Sequence, residues 1–185
     1  MLATVTGPIV LVGHSYGGEV ITNAALGNTN VKALVYVAAF GPDKGESVGS
    51  IGAQFPGGLS AANLTFRPFP QADGSMGLDG YINLADFREL FAADVPRELA
   101  SVMAVSQRPA SVATLGEPSG EPAWKTIPSW YLVAEQDRAI PPAAERFMAQ
   151  RMGAHTIEID SSHVAMISHP GAVTDLILSA VRAAD

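Results

Sequence analysis

The stretch VLVGHSYGGEV, from Val10 to Val20, decides how this chain folds. Its apolar run stops at a glycine, and a helix-like pattern begins only a few residues later. The glycines at 13 and 17 flank the His-Ser-Tyr tripeptide and allow a tight turn between a buried strand and a helix. The sequence therefore predicts a strand–turn–helix junction that holds Ser15 at the carboxyl end of a sheet.

Four continuous apolar runs, rich in β-branched residues, are typical of buried parallel strands. They cover residues 8–13, 31–39, 130–135 and 155–160. Helical patterns follow at 17–27, at 142–152 and from Pro170 onward, and Gly27 and Gly153 can end the first two. This alternation predicts an α/β fold: one domain over residues 1–185, with about four parallel strands flanked by helices.

A long segment, approximately residues 41–128, interrupts the alternation and is expected to be an inserted cap or binding element. Its ends, 41–80 and 107–128, are rich in turn residues and are predicted to be loops. The middle, 84–105, is predicted to form two short helices, with Asp94 as N-cap and Pro96 in the first turn. Six apolar side chains of the segment either line a pocket or pack it onto the sheet: Phe66, Phe69, Tyr81, Phe87, Phe91 and Met103.

The composition limits the partners of the protein. The formal net charge is −7, and the 11 Lys and Arg residues are scattered, so no basic patch is available to bind nucleic acid. No Lys or Arg precedes Lys32, and no apolar run is long enough to cross a bilayer. We therefore expect a cytoplasmic protein that binds neither nucleic acid nor membrane.

A serine nucleophile needs a base and an orienting acid, which are expected after later strands in the order Ser, acid, His. Asp137 follows the third predicted strand in QDRAIPP, and His163 follows the fourth in DSSHVAM. A neutral imidazole at 163 would take the Ser15 proton, while the carboxylate at 137 would fix its tautomer. Asp43, after the second strand, remains an alternative acid.

The other titratable candidates are assigned lesser roles. His14 lies beside Ser15, but adjacent residues point apart, so it is expected to pack or to line the pocket. His155 and His169 are expected to be structural or solvated, and Glu135 and Asp160 to face elsewhere. The four histidines show no metal-ligand spacing and the chain has no cysteine, so no metal or cofactor is predicted.

VLVGHSYGG, YLVAEQDRAIPP and SSHVAMISHP resemble the α/β-hydrolase superfamily. Within it they are most similar to a branch of small cofactor-free esterases that includes plant methyl-ester hydrolases and hydroxynitrile lyases. The resemblance covers almost the whole chain. It implies Ser15 as nucleophile, Asp137 as acid and His163 as base, with the backbone N–H of Tyr16 as one oxyanion donor.

The resemblance also implies that the chain holds the C-terminal half of an α/β-hydrolase fold. Its four strands correspond to the fifth to eighth of the family, so the sequence looks truncated at its N-terminus. The family places a second oxyanion donor before the elbow. Strand 8–13 is then expected at an exposed edge, where it could pair with a second copy of the chain.

The leading hypothesis is a serine hydrolase that acts on a small carboxylic ester through an acyl-enzyme. One alternative keeps the triad for hydroxynitrile lyase or perhydrolase chemistry, since pocket groups decide what attacks the bound intermediate. A lyase would need a pocket lysine, and Lys32, Lys44 and Lys125 have no obvious place there. A second alternative is a truncated, non-catalytic binding protein.

Overall fold

A computed structural model describes residues 2–184 of the chain, which form two sheets. The strands, in chain order, are β1 (Ile9–Ser15), β2 (Val31–Ala39), β3 (Leu64–Pro70), β4 (Met76–Ile82), β5 (Ala110–Ser111), β6 (Ser129–Ala134) and β7 (His155–Ile159). The larger sheet has the order β1-β2-β6-β7 and is parallel throughout. Its four strands match the four predicted apolar runs, so the predicted α/β fold class is confirmed.

Helices cover both faces of the parallel sheet. In chain order they are α1 (Gly17–Ala24), α2 (Val48–Gln54), α3 (Phe87–Phe91), α4 (Arg97–Ser106), α5 (Pro142–Met152), α6 (Ala165–Ser168) and α7 (Pro170–Ala184). Helices α1 and α5 pack on one face, against Tyr36 and Tyr131, while α7 packs on the other, against Val35 and Trp130. Strands β2 and β6 lie between these layers with almost every side chain buried, which explains their continuous apolar sequences.

The predicted helices flanking the sheet are largely confirmed. Helix α5 covers the predicted residues and ends at Gly153, and α7 begins at Pro170. Helix α1 is shorter than predicted, because the chain leaves the helix at Ala25 and turns before Gly27. Within residues 2–184, no helix combines the length and apolar character needed to cross a bilayer.

The prediction that residues 41–80 are loop is wrong. The segment contains α2 and the antiparallel pair of β3 and β4, which aligns Leu64 with Ile82. Two prolines in β3, Pro68 and Pro70, suggested a loop, but β3 is the edge of its sheet, where a missing N–H is tolerated. Residues 107–128 are also not pure loop, since they contribute β5 and two short 3₁₀ turns.

The two short helices predicted within 84–105 are confirmed as α3 and α4. The prediction of Asp94 as N-cap is wrong, because α4 begins at Arg97 after Pro96 and has no side-chain cap. Asp94 instead accepts hydrogen bonds from the backbone N–H and the hydroxyl of Ser162. That residue lies in the loop after β7, so Asp94 joins the segment between β2 and β6 to the loop that carries His163.

Strand β1 lies at the edge of the parallel sheet. It pairs with β2 and, within the described part of the chain, with no other strand. The Val12 side chain is 45% exposed there. Pairing of this edge with a second copy stays a prediction.

Candidate active site

Ser15 closes β1 in a backbone conformation that few residues adopt. Its φ is +54°, in the left-handed region, and the next residues begin α1. A serine in this region is uncommon and costs about 1–3 kcal/mol, so the surrounding structure must enforce it. This turn places Ser15 at the carboxyl end of the parallel sheet, as the sequence predicts.

Close backbone approach explains two glycines at this turn. A Cβ at Gly13 would lie 2.5 Å from the carbonyl oxygen of Gly17, and one at Gly18 would lie 2.2 Å from the carbonyl oxygen of Phe40. Gly17 itself faces open space, with nothing within 4 Å of a Cβ. The steric requirement therefore falls on Gly13 and Gly18, whereas the sequence pattern had suggested the pair 13 and 17.

Asp137 and His163 form a buried acid–base pair. They follow β6 and β7, and the Nδ1–H of His163 donates to Oδ2 of Asp137 at 2.5 Å. The other oxygen, Oδ1, accepts the N–H groups of Ala139 and Ile140 at 2.6 and 2.9 Å. These three donors fix the carboxylate and with it the tautomer of the imidazole.

The remaining ring nitrogen of His163, Nε2, is buried and has no hydrogen-bond partner within residues 2–184. The fixed tautomer makes it an acceptor, which is the state that a general base requires. The hydroxyl of Ser15 likewise has no partner among the described residues. Catalytic hydrogen bonds are often long or poorly aligned in the absence of substrate, so the lack of this bond leaves both groups as candidates.

His14 connects the turn to the imidazole, a contact that the sequence analysis missed. Its Nε2–H donates to the backbone carbonyl of His163 at 2.9 Å, and the two rings lie 4.6 Å apart. Burial, with a smaller effect from the neighbouring His163, lowers the pKa of His14 to about 3. The ring is therefore neutral at ordinary pH and holds the backbone of His163, a contact that no sequence spacing could indicate.

A second missed residue is Glu145, on the first turns of α5. Its side chain is fully buried beside Asp137, and its Oε2 accepts the backbone N–H of Ala134 at 3.0 Å. Burial, reinforced by the charge of Asp137, raises the pKa of Glu145 well above its usual range. In the sequence, Glu145 is one acidic residue in the first turn of a helix, which is usually a solvated position.

A cavity of about 840 Å³ opens in front of Ser15 and Tyr16. Its wall is mostly apolar, and much of it comes from the segment between β2 and β6. Of the six apolar side chains singled out in the sequence, three line it: Phe87, Phe91 and Met103. The other three, Phe66, Phe69 and Tyr81, lie on the small antiparallel sheet and are not part of the lining.

The other predicted candidates lie away from the acid–base pair. Asp43 forms a surface ion pair with Lys125 at 2.6 Å, so it is Asp137 that contacts His163. His155 stacks near Trp130, and Glu135 lies 3.7 Å from Arg146. Asp160 is exposed, and His169 lies 3.7 Å from Asp94. Lys32 donates to the backbone carbonyl of Thr29, and Lys44 pairs with Glu121 on the surface.

A sequence profile of the alpha/beta hydrolase family matches residues 1–176. The alpha/beta hydrolase nvfD of Aspergillus novofumigatus is 30% identical over 186 residues, covering 93% of this chain and 69% of that protein.

Solved structures with the same fold include polyneuridine aldehyde esterase and a pyrethroid hydrolase of Sphingobium faniae. The match to the first structure has a TM-score of 0.79 at 18% identity and covers 96% of this chain and 74% of the esterase chain. The match to the second has a TM-score of 0.71 at 25% identity and covers 96% of this chain and 72% of the pyrethroid hydrolase chain. The described residues thus superpose on about three quarters of each structure.

Proposed function

The chain belongs to the alpha/beta hydrolase family and is a hydrolase, and on that premise we propose that it cleaves small, mostly apolar carboxylic esters with Ser15 as nucleophile. His163 is the base and Asp137 is the acid that orients it. The observation that carries the proposal is the buried imidazole, held by a carboxylate at Nδ1 and open at Nε2, whose backbone carbonyl is bound by His14, the residue before the strained Ser15.

In the first half of the reaction, the Ser15 oxygen attacks the ester carbonyl and His163 Nε2 accepts the hydroxyl proton. The imidazolium that forms is stabilised by Asp137, which is already anchored by two backbone N–H groups. When the tetrahedral intermediate collapses, the C–O bond to the alcohol breaks. The alcohol leaves with the proton from Nε2, and the acyl group remains on Ser15.

In the second half, His163 Nε2 takes a proton from water, and the hydroxide oxygen attacks the acyl carbonyl. Collapse breaks the bond to Ser15, returns the proton to its oxygen and releases a carboxylic acid. The backbone N–H of Tyr16, at the start of α1, is the proposed donor to the oxyanion in both halves. A lost oxyanion donor costs about 3 kcal/mol, so this N–H is central to the rate.

The cavity supports an apolar substrate. Its lining is dominated by apolar side chains, with Arg108 as the one charged residue among the described lining groups. We propose that the segment between β2 and β6, residues 41–128, acts as the cap over this cavity. The contacts of Asp94 with Ser162 fix that cap to the loop of the catalytic base. The three lysines contact surface groups rather than the cavity, which disfavours the lyase alternative.

Hydrolysis of p-nitrophenyl acetate and butyrate tests the proposal. We expect wild-type turnover to fall at least about a hundredfold in Ser15→Ala, because the nucleophile is lost. Ser101→Ala, which removes an exposed hydroxyl on α4, is the matched control and should keep wild-type turnover. A fluorophosphonate should label Ser15 and no other serine, as read by peptide mass spectrometry. Equal turnover in folded wild type and Ser15→Ala would refute the proposal.

A further inference from the structure

Two carboxyl groups, those of Asp137 and Glu145, face each other in the interior. Both side chains are almost completely buried, and they lie within hydrogen-bonding reach of one another. Glu145 Oε1 has no N–H or O–H donor among residues 2–184, although it is buried. Two carboxylate oxygens are both acceptors, so this contact is favourable only when one of them carries a proton.

The surrounding donors decide which carboxyl is protonated. Asp137 receives three N–H groups, from His163, Ala139 and Ile140, and these stabilise it as an anion. Glu145 receives only one donor, the backbone N–H of Ala134. The charge of Asp137 also opposes a second anion beside it.

The remaining titratable groups near Glu145 do not neutralise it. The Tyr131 hydroxyl, on β6, donates to the carbonyl of Ala39. Arg146, the next residue on α5, is directed outward to Glu158 at 2.7 Å. No cation of the described chain forms an ion pair with Glu145, so a proton is the remaining means of removing its charge.

We propose that Glu145 is a neutral carboxylic acid that donates its proton in a hydrogen bond to Asp137, as a positioning residue for the catalytic acid. The inference rests on the proposed function for its effect on turnover. The pKa of Glu145, raised chiefly by burial, agrees with this protonation state. The hydrogen bond holds the carboxylate against the imidazole while adding no second negative charge to the site.

Substitutions at Glu145 separate the hydrogen bond from simple packing. In Glu145→Gln the amide carbonyl accepts the Ala134 N–H and the amide N–H donates to Asp137, so both contacts are kept. Glu145→Leu keeps the volume but removes both. We expect kcat within about twofold of wild type for the glutamine variant and a loss of roughly tenfold for the leucine variant, with KM little changed.

The pH dependence of kcat/KM adds a second readout. Without the hydrogen bond from Glu145, the negative charge of Asp137 stabilises the imidazolium more strongly. The acidic limb of the kcat/KM profile of Glu145→Leu should therefore move to higher pH. Glu145→Gln should retain the wild-type limb. A leucine variant with wild-type kcat, or a glutamine variant with the same loss and shift as leucine, would overturn the proposal.

Infrared spectroscopy tests the proton directly and needs no turnover or leucine variant. At neutral pH, wild type should show a carboxylic-acid C=O stretch that is absent from Glu145→Gln. If wild type and Glu145→Gln show the same absorbance in the carboxylic-acid C=O region, Glu145 is ionised and the proposal is wrong. A failure of the proposed function, seen as turnover that survives Ser15→Ala, would leave this band in place, so the two failures are distinguishable.

Discussion

Replacing His14 with glutamine should make the protein more resistant to acid. Neutral His14 donates to the carbonyl of His163, and a glutamine amide can make the same contact without titrating. In wild type, the folded state resists protonation of this ring until about pH 3. The unfolded chain takes up the proton near its ordinary pKa of about 6.5. Between these values acid favours unfolding, so wild type loses stability as pH falls and the variant is spared this loss.

The magnitude follows from the size of the pKa difference. A drop from 6.5 to about 3 is roughly 3.5 units, each about 1.4 kcal/mol, which sets a ceiling near 5 kcal/mol on the loss attributable to His14. The ring is only partly buried, so solvent reduces this figure. We expect the stability of His14→Gln relative to wild type to rise by about 1 kcal/mol per pH unit below 6.5.

Urea unfolding between about pH 4 and pH 7 measures this slope for wild type and His14→Gln. Ser101→Ala, on the exposed part of α4, removes no titratable group and supplies the control, and its curve should run parallel to wild type. If the free energies of unfolding of wild type and His14→Gln stay parallel across this range, the lowered pKa of His14 in the folded state is refuted.

Two further predictions concern the turn and the cap. Gly18→Ala should lower the free energy of unfolding by about 1–3 kcal/mol and reduce kcat, because its Cβ would lie 2.2 Å from the Phe40 carbonyl oxygen. Gly17→Ala, where a Cβ meets nothing within 4 Å, should do neither. Chemical unfolding and ester turnover compare the two variants, and equal effects would contradict the steric account. Asp94→Ala should lower the free energy of unfolding by about 1–3 kcal/mol and reduce kcat, because Ser162, next to His163, loses its hydrogen-bond acceptor. Unchanged stability and turnover would show that this contact does not link the cap to the His163 loop.

Sequence by itself determined the parallel sheet and placed the candidate triad on it. The two central strands, β2 and β6, are continuous apolar runs because helices cover both faces, and every residue of these strands except Lys32 is buried. Ser15, Asp137 and His163 could be predicted together because Ser15 ends one strand of this sheet and the other two follow its later strands, and parallel strands bring their carboxyl ends to one edge. These signals are local, so they survive in a single sequence.

Tertiary structure alone decided what depends on distant residues meeting. The β3–β4 pair was read as loop because its prolines and glycines are turn residues, and its edge position is visible only once the strands pair. Asp94 looked like a helix cap, but its acceptors are satisfied from the loop after β7. The pKa of Glu145 is raised by its burial and by the charge of Asp137 beside it, and both exist only in the folded chain. Burial and long-range pairing set these roles, and neither is written in the spacing of residues along the chain.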